Sequence, residues 1–68
     1  MNEEAFNMSI RKFLKTVGVK SQHEIERSVE SARAEGRLRG DEQLIAHMTL
    51  RIPELDLEVP FEGRIELE

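Results

Sequence analysis

The sequence predicts an α+β domain in which two N-terminal helices pack on a C-terminal antiparallel β-hairpin, an ααββ order. Three observations carry the prediction. Apolar residues recur at helical spacing from Phe6 to Val17, a capping signature follows at Ser21, and from Leu44 onward apolar and polar residues alternate on both sides of Pro53-Glu54-Leu55-Asp56.

The first helix is expected at about residues 3–17. Asn2 can accept from the free N–H groups of its first turn, and Glu3 and Glu4 sit where the helix dipole favours negative charge. At about 100° per residue, Phe6, Ile10, Phe13 and Val17 fall in one narrow stripe with Leu14 at its edge, while Met8, Arg11, Lys12 and Lys15 lie on the other side. Gly18 is the expected stop.

The second helix is expected at about residues 22–35. Ser21-Gln22-His23-Glu24 spells a capping box, in which the Ser hydroxyl and the Glu carboxylate each satisfy the other's backbone N–H. Ile25, Val29 and Ala32 form its thin apolar face, Gly36 ends it, and Leu38 in the polar connection can plug the core.

Strands follow at about 44–52 and 57–66. Leu44, Ala46, Met48, Leu50 and Ile52 share one side of the first; Leu57, Val59, Phe61, Ile65 and Leu67 share one side of the second. Pro53 cannot adopt the positive φ of a two-residue hairpin turn, so a four-residue loop, Pro53 to Asp56, is expected. That register sets Arg51 opposite Glu58 and His47 opposite Glu62. Pro60 and Gly63 mark the second strand as an edge, with a bulge expected near them.

Size and composition bound the function. The 68 residues read as a single small domain, 1–68, too short to enclose much of a cleft. There is no cysteine, hence no disulfide and no thiolate chemistry, which fits a reducing cytoplasm. No apolar run approaches the roughly 20 residues of a membrane span, and MNEEAFNMS does not have the pattern of a signal peptide. Net charge is −4 but unevenly placed: residues 1–40 carry eight basic against six acidic residues, residues 41–68 two against eight. The halves are electrostatically complementary.

Catalytic constellations are missing. His23 and His47 lie on separate elements among scattered carboxylates, which is no basis for a metal site. Ser9, Ser21, Ser28 and Ser31 have no nucleophile motif around them, and there is no glycine-rich phosphate loop. Arg39-Gly40-Asp41 matches an integrin-type tripeptide by spelling alone. Two helices before a hairpin also suggest a reduced winged helix-turn-helix, but the second helix carries Glu24, Glu26, Glu30 and Glu35, and the hairpin that would be the wing is acidic. Phosphate neutralisation supplies most non-specific nucleic-acid affinity, so nucleic acid is disfavoured.

The segments MNEEAFNMSIRKFLKTVGVKSQHEIE, GRLRGDEQL, MTL, LDLE and EGRIEL resemble, over nearly the whole chain, a family of short bacterial proteins known only as a domain of unknown function. The resemblance implies a bacterial cytoplasmic protein and carries no activity, cofactor or catalytic residue with it. The expectation is therefore a non-catalytic binding or regulatory protein without cofactor or metal. Asp56, Glu58, Glu62 and Glu66 would meet a basic protein partner; an edge strand offers a route to a homodimer.

Overall fold

The computed structural model describes residues 1–68, which form one helix and one hairpin: α1 (Glu3–Ala34), β1 (Gln43–Ile52), a short 3-10 turn (Pro53–Leu55) and β2 (Leu57–Glu66). The chain divides into two compact units, Met1–Arg37 and Leu38–Glu68. Helix followed by antiparallel hairpin is the α+β order expected. The number of helices is not.

Helix α1 begins as its sequence requires. Asn2 is extended, and its side-chain Oδ1 accepts from the N–H of Ala5 at 3.1 Å, with Glu3 and Glu4 in the first turn. The helix then runs 32 residues, about 48 Å at 1.5 Å per residue. It passes straight through Gly18 and Ser21, where two separate helices, 3–17 and 22–35, were expected. The correction has a physical reason. Mid-helix glycine costs only about 1 kcal/mol, and no proline follows to enforce a stop. Ser21 is helical, and the less exposed positions continue across the expected break as Val17, Ser21, Ile25, Val29 and Ala32, a 4-4-4-3 spacing. Glu24 and Glu26 pair within the helix, Glu24 with Arg27 at 3.4 Å and Glu26 with Gln22 at 3.3 Å.

The true end is at Gly36, with φ of +77°. The N–H of Arg37 donates to the carbonyl of Ala32 at 2.9 Å, and that of Gly36 to Arg33 at 3.0 Å. This is the Schellman closure, which needs a left-handed residue where glycine stands. Ala32 beneath it is the one buried residue of the chain.

The connection to the hairpin is tied by Glu42. Its carboxylate accepts from the N–H of Arg39 at 2.9 and 3.1 Å and from the N–H of Gly40 at 2.9 Å. Gly40 takes φ of +107° to present that N–H.

Strands β1 and β2 pair in one unbroken antiparallel register from Gln43 opposite Glu66 to Ile52 opposite Leu57. The four-residue loop forms as expected: Asp56 donates its N–H to the carbonyl of Pro53 at 3.1 Å and closes the turn in the left-handed region. Asp tolerates that region far better than branched residues do. The bulge expected near Pro60 and Gly63 is absent, because Gly63 simply faces Ala46 and Pro60 faces Thr49. One face of the hairpin carries the half-buried Leu44, Ala46, Leu50, Ile52, Leu57, Val59, Ile65 and Leu67. At its middle, Met48 and Phe61 oppose each other and stay about half exposed, 47% and 55%.

Candidate functional site

Strand pleating sorts the hairpin's charges. Residues two apart share a face about 6.6 Å apart, so Glu58, Glu62, Arg64 and Glu66 of β2 line up beside Ile45, His47, Thr49 and Arg51 of β1. All of these side chains are exposed. The two cross-strand pairs expected from the sequence form. Arg51 Nε lies 3.2 Å from Glu58 Oε1, and His47 stands opposite Glu62. Gln43 Nε2 donates to Glu66 Oε1 at 3.4 Å.

These pairings divide the four candidate residues. Asp56 closes the turn and Glu58 is tied to Arg51. Across the ladder Glu62 faces an imidazole and Glu66 an amide, and Arg64 stands between them on β2. Counting Glu54, Asp56, Glu58, Glu62 and Glu66 against Arg51 and Arg64, five against two, the turn and the polar face carry a net −3 with His47 neutral. The Arg51–Glu58 pair is exposed on both sides, so it contributes at most about 1 kcal/mol to stability. Ile45, half exposed at 50% on this otherwise polar face, was not singled out by sequence reasoning. Its alternation with Leu44 and Ala46 was the available signal.

The edges are unequal. Leu67 donates its N–H to the carbonyl of Glu42 at 3.3 Å, which fixes the phase of the ladder. By alternation, Thr49 and Pro60 form a non-hydrogen-bonded pair, so Pro60 costs no ladder bond and its nitrogen faces outward. Proline therefore interrupts the free edge of β2. The free edge of β1 keeps outward N–H groups at Gln43, Ile45, His47, Thr49 and Arg51, and it is the edge that strand addition would use.

His23 and His47 are both exposed and lie on different elements. No three His, Asp or Glu side chains are grouped as a metal site would require. No helix is long and apolar enough to cross a membrane.

The model of one protein family matches residues 1–68, the full length of the chain. The chain belongs to DUF6494, a family of unknown function. No curated protein and no solved structure gives a significant match. Membership in DUF6494 agrees with the resemblance seen in the sequence and assigns no chemistry to any residue.

Proposed function

We propose that the protein is a small, non-catalytic binding or regulatory module whose hairpin carries the contact, with Glu62 and Glu66 at its centre and Asp56 and Glu58 beside them. One observation supports the reading most: the alternation of β2 sets Glu58, Glu62 and Glu66 on a single exposed face with Arg64 among them, and neither Glu62 nor Glu66 is held in an ion pair. Such a face suits a basic, extended segment of another protein. Charge complementarity of this kind sets specificity and association rate more than affinity.

Capture from a bacterial lysate on the immobilised wild-type chain and on a Glu62→Lys/Glu66→Lys variant tests this. A protein held by the wild type, lost on the variant and eluted by moderate salt is the expected result. Equal retention on both, or none on either, overturns the reading. The winged helix-turn-helix alternative requires a turn between two helices, and the chain is helical there; no observation favours it.

A further inference from the structure

The apolar stripe of α1 is unevenly exposed. Its C-terminal members, from Val17 to Val29, are half-buried and Ala32 is buried, whereas Phe6 is 49% exposed, Ile10 39%, Phe13 52% and Leu14 56%. Two half-open rings and two half-open aliphatic chains on adjacent turns leave on the order of 400 Å² of contiguous apolar surface, within the range of the largest and often functional patch on a small protein.

The spacing names the occupant. Phe6, Ile10, Phe13 and Val17 stand 4-3-4 apart, the seam spacing of a two-helix coiled coil. One step beyond at each end, three residues before Phe6 and three after Val17, stand Glu3 and Lys20.

We infer that the N-terminal half of α1 pairs antiparallel with the same segment of a second copy, about a two-fold axis between Ile10 and Phe13. In that register each seam residue meets the partner residue whose number brings the sum to 23. Phe6 meets the partner's Val17, Ile10 meets the partner's Phe13, and Glu3 meets the partner's Lys20. Large side chains face smaller ones, and an ion pair closes each end of the seam.

A parallel pair would instead stack Glu3 on Glu3 and Lys20 on Lys20, so the charges choose the direction. Asn7, Ser9, Leu14 and Thr16 flank the seam without charge. The cations Arg11, Lys12 and Lys15 lie away from it in solvent, so they do not oppose association. Two patches face to face bury about 800 Å², and with their polar rims approach the roughly 1,200 Å² of small specific interfaces. A micromolar dimer is expected. This surface is separate from the hairpin face proposed above and does not depend on it.

Sedimentation equilibrium of the full chain should give twice 7.9 kDa, dissociating in the micromolar range. Phe13→Glu should give a monomer. Lys20→Glu alone and Glu3→Lys alone should each weaken the dimer roughly threefold to tenfold, and the double swap should recover most of that loss. The swap keeps the test decisive even if Phe13→Glu misfolds.

The chain has no cysteine, so single cysteines report direction cleanly. A mixture of Glu3→Cys and Lys20→Cys chains should cross-link to each other on oxidation, and Lys20→Cys alone should not. The inference is overturned by a monomer at about 100 µM, including one that binds anionic vesicles instead. Self-linking of Lys20→Cys, or a dimer indifferent to the charge changes, as one built on the β1 edge would be, also overturns it.

Discussion

Two glycines of this chain make opposite predictions for the same substitution. Gly36 sits at φ of +77° and Gly18 within the right-handed helix, and an added Cβ meets nothing within 4 Å at either. With steric crowding absent, the backbone alone decides. Gly36→Ala forces a left-handed alanine and should lower stability by about 1 kcal/mol. Gly18→Ala removes excess unfolded-state freedom inside a helix and should raise stability by about 0.5–1 kcal/mol. Chemical denaturation of the two variants beside the wild type measures both. If Gly18 ended a helix, its substitution would destabilise as well. Glu42 makes a prediction about pH. Hydrogen bonds from the Arg39 and Gly40 N–H groups hold its carboxyl below the ordinary carboxylate value. A lowered folded value means its contribution is present above the ordinary range and is lost as pH falls through the folded one. The Arg39 and Gly40 amide resonances should therefore titrate together, with a midpoint below that of an exposed glutamate, and Glu42→Gln should abolish the titration.

The single helix is itself testable by hydrogen exchange. Amides from Val19 to Gln22 should be protected as well as their neighbours, whereas two helices would leave fast-exchanging donors at the start of the second. Why the sequence misleads there is instructive. Ser21 with Glu24 has capping-box spacing, and Gly18 has stop-signal identity, so both read as punctuation. The stronger signal was the run Val17, Ser21, Ile25, Val29 and Ala32, whose helical spacing crosses the expected break; a serine in the stripe disguised it. Gly36 could be read correctly because a glycine after a long periodic run is where a left-handed closure is needed, and the chain has no competing signal nearby. The hairpin was legible almost to the residue, since period-two alternation leaves no freedom of face and Pro53 leaves little freedom of turn. Pro60 and Gly63 misled in one respect. Proline suggests a bulge only if its missing N–H falls inside the ladder, and that phase is set by Leu67 bonding to Glu42, too remote for a local reading. Glu58, Glu62 and Glu66 share one exposed face of β2, as period-two spacing requires. Their pairing with Arg51 and Gln43 follows from register, whereas the turn-closing role of Asp56 required its backbone conformation.

Neither unit is of a size that ordinarily stands alone. Met1–Arg37 and Leu38–Glu68 each fall below about 40 residues, the length at which disulfides, metals or association usually supply what a small core does not. Cysteine is absent, so no disulfide supplies it, and pairing of α1 with a second copy is the source we propose. A helix and a two-stranded hairpin are each marginal in water by themselves, and the half-open stripe of α1 is apolar surface that a second copy would cover. If pairing of α1 supplies that cover, folding and association are linked, and thermal stability must depend on protein concentration. The size of the effect follows from the unfolding entropy. Two chains of 68 residues at roughly 2.1 cal/mol/K per residue give about 290 cal/mol/K. A tenfold change in concentration is worth about 1.4 kcal/mol per dimer, so the melting temperature should fall by about 5 °C on each tenfold dilution. Scanning calorimetry or circular dichroism over two decades of concentration reads this directly. Phe13→Glu should melt lower and show no concentration dependence. A wild-type melting temperature that stays fixed on dilution would mean that the chain stabilises itself without a second copy.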